Sequence, residues 1–156
     1  FAYAAARYFS RSFLQVRNEI VLFLSAGFFS AAMAQSPINV HVLEAFYSLA
    51  ELPAFWLIVI VIGVIVAFGL VGIHAVVFVT LIGYSVDADF FPESPHFLPM
   101  LLIYSLILYN QTSPFSALVL VTARLFQMRT AEIIGKNALF GGLLFAAAVV
   151  LLLLIR

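Results

Sequence analysis

The residues best equipped for chemistry stand together at Asn110, Gln111, Thr112, Ser113, Pro114, Phe115 and Ser116, inside an otherwise apolar run from about Phe97 to Phe126. Two primary amides and three hydroxyls, each able to donate and accept hydrogen bonds, make an uncharged ligand set. Pro114 has no N–H and disfavours helix at Ser113, so the run reads as a helix broken over Asn110–Ser116. In lipid such a break is tolerated only where it is packed in protein or lines a wet cavity. The chemistry on offer is binding: freed carbonyls can coordinate a cation, and the N–H groups that open a restarted helix favour an anion.

A second interruption, Gly69-Leu70-Val71-Gly72-Ile73-His74, divides the apolar run 54–84. His74 adds an imidazole, which can carry a proton near neutral pH, and an ionisable group at membrane depth is a functional candidate by default. The candidate solute and ion ligands are therefore Gly72, His74, Asn110, Thr112, Ser113, Pro114 and Ser116, with a candidate Na+ position near Ser113 and Ser116. Each has a plainer reading. Ser113-Pro114-Phe115-Ser116 could be a proline kink whose serines satisfy the backbone. His74 could be a packed, neutral histidine, and Gly69 and Gly72 could merely permit close helix approach.

Other chemistries find no support. The chain has no cysteine, which removes disulfides, thiol nucleophiles and Cys-ligated metals. His41, His74 and His96 are far apart with no i,i+4 pair, so a metal site is not expected. There is no nucleophile elbow, no phosphate loop and no pair of carboxylates at membrane depth, so neither an enzyme nor a cofactor is expected. Zero net charge gives no basic surface for nucleic acid.

The elements that must hold these residues come from a chain 65% hydrophobic and 9% charged, with a mean hydropathy of +1.19. A globular domain carries about 25% charged residues, so the expectation is an all-α polytopic membrane protein. It would be multi-pass in the cell inner (plasma) membrane, one transmembrane domain over residues 1–156, with the lipid bilayer as partner. Residues 1–17 form a basic interfacial segment whose Arg7, Arg11 and Arg17 snorkel to the headgroups. Residues 19–36 just cross a core about 30 Å thick, and Ser25, Ala26, Gly27, Ser30, Ala31 and Ala32 suit close helix contact. Residues 38–52 set Leu43, Phe46, Leu49 and Leu52 on one face and Glu44, Ser48 and Glu51 on another, the pattern of a surface helix.

Residues 54–84 would extend roughly 46 Å as one helix, too far for a single span. With glycines near the middle, they read as a re-entrant hairpin tipped at Gly69–His74. Residues 97–126 are the broken helix, and 137–155 a final span with Gly141-Gly142 as a smooth contact face. Asp87, Asp89 and Glu93 in loop 85–96, with His41, Glu44, Glu51 and His96, read as solvated interface residues. Charge bias agrees with this order. The Arg/Lys-rich segments 1–17 and 124–136, which hold six of the seven Arg and Lys residues, belong on the cytoplasmic side, and loop 85–96, which has none, outside. An odd number of crossings must lie between residues 17 and 85, so one of the two apolar segments there turns back, and the longer one is the natural choice.

This order of elements resembles the C-terminal half of the divalent anion:sodium symporters, within the ion transporter superfamily that includes arsenite permease-like carriers. Leu22-Phe23-Leu24-Ser25-Ala26-Gly27-Phe28 echoes that half's glycine-rich span. Gly72-Ile73-His74-Ala75 occupies the place of its Ser-Asn-Thr-Ala hairpin tip. Ser113-Pro114-Phe115-Ser116-Ala117 stands where it has a Thr-Pro-Pro-Asn-Ala-like break, and Gly135-Lys136-Asn137 resembles its connector. The resemblance covers about residues 19–155 in order and spacing, with partial motif matches. It departs where the tip Asn and Thr are Ile73 and His74, and where the Asn of the break is Ser116, side chains such families use around sodium and a carboxylate substrate.

The resemblance implies half of an inverted-repeat secondary active transporter, a symporter moving a small anionic solute with Na+ or H+ as coupling ion. It also implies a homodimer and alternating access by movement of this unit against a scaffold. The chain opens on Phe1 without a signal-peptide pattern and reads as a C-terminal fragment, so the N-terminal half of the same protein is an expected partner. In this reading Asn110, Thr112, Ser113 and Ser116 are polar ligands and His74 is the coupling or orienting group. The alternative is a non-catalytic structural or assembly subunit of a membrane complex, its helix breaks covered by partners. A channel-forming subunit is a third reading.

Overall fold

The computed structural model describes residues 20, 21, 23–87, 90, 91 and 94–156. The basic segment 1–17 and the loop acids Asp89 and Glu93 lie outside the described residues. Among the described residues there are seven helices and no strand, so the all-α expectation holds. They are α1 (Phe23–Ala34), α2 (Ile38–Ala50), α3 (Ala54–Leu70), α4 (Ala75–Ser85), α5 (Phe97–Thr112), α6 (Ala117–Phe126) and α7 (Thr130–Ile155).

Local chemistry sets most of these boundaries. α2 buries Phe46 and rests Leu43 and Leu49 on the core, while Glu44 and Ser48 stay exposed. It ends at Ala50, two residues short of the expected 52, because Pro53 opens α3 with its carbonyl accepting the Trp56 N–H at 2.9 Å. Proline suits a helix start because its missing N–H would have no partner there. α7 begins at Thr130, earlier than the expected 137. Glu132 falls in its first turn, where a carboxylate complements the helix dipole, and Ile133 is buried against Val119 and Ala123 of α6. The stretch read as a connector is the opening of the last helix.

α5 is the central element, packed against α3, α4, α6 and α7. Leu57, Ile58, Val61, Ile62 and Ile65 of α3 recur at helical spacing and face Phe97, Leu98, Leu101, Leu102, Leu108 and Tyr109 of α5, with Val149 and Leu152 of α7 closing the same core. The outward faces are apolar too: Trp56 and Val64 on α3 and Leu139, Leu143 and Leu154 on α7 are exposed. A helix apolar all round belongs in a large core or in lipid. Two stretches, Phe97–Phe126 and Thr130–Ile155, are long and apolar enough to cross a membrane, with 33% and 22% of their most apolar windows buried within the chain.

Contacts fix the ends of the bundle. The Ser94 hydroxyl donates to the Arg156 carbonyl at 3.0 Å, and the Arg156 guanidinium donates to the Ala50 carbonyl at 3.4 Å. The end of α2, the segment before α5 and the end of α7 therefore lie together. α3 sets out from that end, and α4 returns to it, with Val86 and Phe91 in the core beside Phe97. The α3–α4 turn is left part-way along the bundle, at the level where α5 gives way to α6.

Candidate functional site

The turn between α3 and α4 spans residues 71–74, with Gly69 and Leu70 still helical. The chain reverses there because Gly72 adopts φ +98°, a left-handed conformation that costs glycine little. His74 is the N-cap of α4: its Nδ1 accepts the Val76 N–H at 3.3 Å, which leaves the proton of a neutral ring on Nε2.

The second interruption is narrower than Asn110–Ser116. α5 runs through Thr112, and only Ser113–Ser116 leave the helix. Ser113 takes extended backbone, ψ 127°, as a residue before proline must. Ser116 then caps α6, accepting the Val119 N–H at 3.2 Å while donating to the Asn110 carbonyl at 2.8 Å. One hydroxyl thus satisfies a donor of the new helix and an acceptor of the old one.

The two interruptions meet. Ser113 Oγ donates a 2.7 Å hydrogen bond to the Gly69 carbonyl and accepts the Phe115 N–H at 3.2 Å. Both Ser113 and Ser116 are fully buried. Tyr109, one turn before Ser113, lays its ring against Gly69 so closely that a Cβ there would overlap it. The ring also lies 5.1 Å from the His74 ring, centroid to centroid. His74 also makes an edge contact with the ring of Phe23 of α1, with centroids 6.4 Å apart. Phe115 lies over Gly72, 3.6 Å from where a Cβ would stand.

The chain matches no known protein family, no curated protein and no solved structure.

The geometry sorts the residues singled out in the sequence. Gly72, His74, Ser113 and Ser116 converge at the meeting of the two breaks, and Pro114 is half-buried beside them. Asn110 and Thr112 belong to the last turn of α5, where Asn110 Nδ2 donates to the Leu106 carbonyl at 3.0 Å and Thr112 Oγ1 to the Leu108 carbonyl at 2.8 Å. Those bonds leave the Asn110 Oδ1 and the Thr112 lone pairs as acceptors. His41 and His96 are exposed, and neither takes part in the contacts described between the two breaks.

Three features were not read from the sequence. Tyr109 is the ring on which the hairpin tip rests, and its only sequence signal is its position four residues before Ser113, on the same helix face. Asn137 Nδ2 donates to Gln111 Oε1 at 3.4 Å, tying α7 to the end of α5. Ser30, fully buried, shares a hydrogen bond with Thr80 Oγ1, which also donates to the Val76 carbonyl at 2.7 Å, so α1 grips the first turns of α4.

Chemically, the site is a cluster of hydroxyl and carbonyl oxygens with the starts of two helices, α4 and α6, beside it. Four oxygens carry it: Ser113 Oγ with Gly69 O, and Ser116 Oγ with Asn110 O, each pair closed by a hydrogen bond. Breaking either pair frees a hydroxyl and a carbonyl oxygen of the kind that coordinate alkali cations, and the hydroxyl can also donate to an anionic group.

Proposed function

We propose that this chain is half of a secondary active transporter for a small anionic solute coupled to Na+ or H+, as the resemblance to divalent anion:sodium symporters implies. The observation that carries it is the direct contact of the two interruptions through Ser113 Oγ and Gly69 O at 2.7 Å. Paired discontinuous elements that meet within the bilayer are the architecture of transporter binding sites.

In this reading the chain is multi-pass in the cell inner membrane. α7, about 39 Å long, and the α5–α6 unit each cross a hydrocarbon core of about 30 Å. α3 and α4, at roughly 25 and 16 Å, are too short to cross upright and leave from and return to one face as a re-entrant hairpin. Its tip would leave costly unpartnered backbone in lipid, but here it is covered by Tyr109, Ser113 and Phe115. The solute's anionic group would lie toward the starts of α4 and α6, and Na+ would be held by Ser113, Ser116 and the carbonyls they now occupy. His74 would orient the tip or carry the proton. The inverted N-terminal half would complete the site and supply the scaffold.

Uptake by the full-length protein carrying Ser113→Ala, Ser116→Ala or His74→Asn tests the reading. Loss of uptake at normal expression supports it; unchanged uptake in all three removes the site. A second reading, a structural or assembly subunit, draws on the same hydrogen bonds: the hydroxyls of Ser113, Ser116 and Thr112 and the amide of Asn110 all have backbone partners. Under that reading the substitutions lower stability or assembly and the protein moves no solute.

A further inference from the structure

A separate, shallow and largely open groove lies at the end of the bundle where α2 and α7 finish, lined by Tyr47, Ala50, Glu51, Phe90, Phe91 and Arg156. The walls are divided by chemistry. The Arg156 guanidinium stands 5.6 Å from the Phe91 ring centroid and 5.7 Å from that of Phe97, and donates to the Ala50 carbonyl at 3.4 Å. Two aromatic faces fix its position, and its one hydrogen bond among the described residues leaves N–H groups for another acceptor. Tyr47 and Phe90 form a second aromatic surface, with centroids 4.8 Å apart, beside the exposed carboxylate of Glu51.

Glu51 and Arg156 line one groove without forming an ion pair with each other among the described residues. A purely anionic ligand would be drawn to Arg156 and repelled by Glu51, and a purely cationic ligand the reverse. A ligand carrying both charges a few ångströms apart satisfies both walls. The groove also lies where the apolar run of α7 ends and where Phe55 and Trp56 are exposed at the start of α3, the depth at which aromatic side chains meet headgroups.

We infer that this groove binds the headgroup of a zwitterionic phospholipid, its phosphodiester on Arg156 and its ammonium against Glu51, Tyr47 and Phe90. A guanidinium pairs with phosphate oxygens, and aromatic faces with a carboxylate hold an ammonium. The site rests on the membrane reading of the chain but not on transport, and it is tested without measuring uptake.

The full-length protein is purified in a maltoside detergent, mixed with equal amounts of phosphatidylethanolamine, phosphatidylglycerol and diacylglycerol, and examined by native mass spectrometry. The expected result is a one-to-one adduct with phosphatidylethanolamine in preference to the other two. Arg156→Gln is expected to weaken retention of phosphatidylethanolamine by about tenfold, the size of one lost charge-assisted hydrogen bond. Glu51→Gln is expected to shift preference toward phosphatidylglycerol, a change of selectivity that general loss of structure does not produce. Equal retention of all three lipids, or Glu51→Gln leaving the preference unchanged, overturns the inference. So does soluble glycerophosphoethanolamine displacing the lipid at equal concentration, which makes the groove a solute site.

Discussion

Ser113 Oγ and the carbonyl of Gly69, 44 residues apart in sequence, are joined at 2.7 Å in the buried centre of the bundle. This bond links the end of one helix to the break in another. The Gly69 carbonyl also receives the Gly72 N–H at 3.3 Å, so removing the serine hydroxyl weakens the carbonyl's partnership without orphaning it. Ser113→Ala is expected to cost about 1 kcal/mol, read as a lower midpoint of thermal unfolding in detergent. Ser113→Thr keeps the hydroxyl and is expected to retain more of that stability than Ser113→Ala.

Gly69 is required for space. A methyl group there would overlap the Tyr109 ring, which is 1% exposed and has nowhere to retreat. Gly69→Ala is expected to destabilise by about 1–3 kcal/mol, the range for an overpacked core. Combining it with Tyr109→Ala should recover part of that loss, giving a non-additive double-mutant cycle. Strict additivity would mean that the tip does not rest on Tyr109.

Ser116 serves both sides of the break, and its loss should be felt at the start of α6. Ser116→Ala is expected to cost about 1–2 kcal/mol through the lost cap. Hydrogen exchange should quicken at Val119, whose N–H it accepts, with little change in the middle of α7. Ser116→Thr should restore protection, since threonine also caps.

His74 caps α4 and contacts the rings of Phe23 and Tyr109, and substitution can separate its structural and protonic roles. Asparagine also caps a helix but cannot titrate near neutral pH. If the imidazole carries the coupled proton, His74→Asn should fold normally and lose proton-driven uptake. If it serves only as a cap, His74→Asn should keep the wild-type pH profile while His74→Ala lowers stability.

Gln127 ends α6 in a left-handed conformation, φ 53°, with the Met128 N–H bonded to the Ala123 carbonyl at 2.9 Å. A side chain in that region costs energy that glycine avoids. Gln127→Gly is expected to raise stability by about 0.5–1 kcal/mol, measured by thermal unfolding, and to leave uptake unchanged.

Much of this was legible residue by residue because it is local. Pro114 cannot donate an N–H and constrains Ser113, and Gly72 permits a positive φ, so each interruption is marked by its own covalent chemistry. Helix content followed from long apolar runs without strand alternation. The boundaries that moved did so for tertiary reasons: α7 gained its first turns because Ile133 found a buried place against Val119 and Ala123, a contact invisible along the chain.

The sequence by itself thus determined where the helices stop and which polar groups stand at the stops. Only the tertiary structure decided what those groups touch. Tyr109 read as one more aromatic in an apolar run, yet it is the surface that receives Gly69 and His74. His74 carried an ionisable group in the sequence, and the fold turned that ring into a helix cap. The reason is physical: a hydroxyl or ring nitrogen offers the same donors and acceptors anywhere, and which partner it takes depends on the helix brought against it. In this chain α5 brings Ser113 to Gly69.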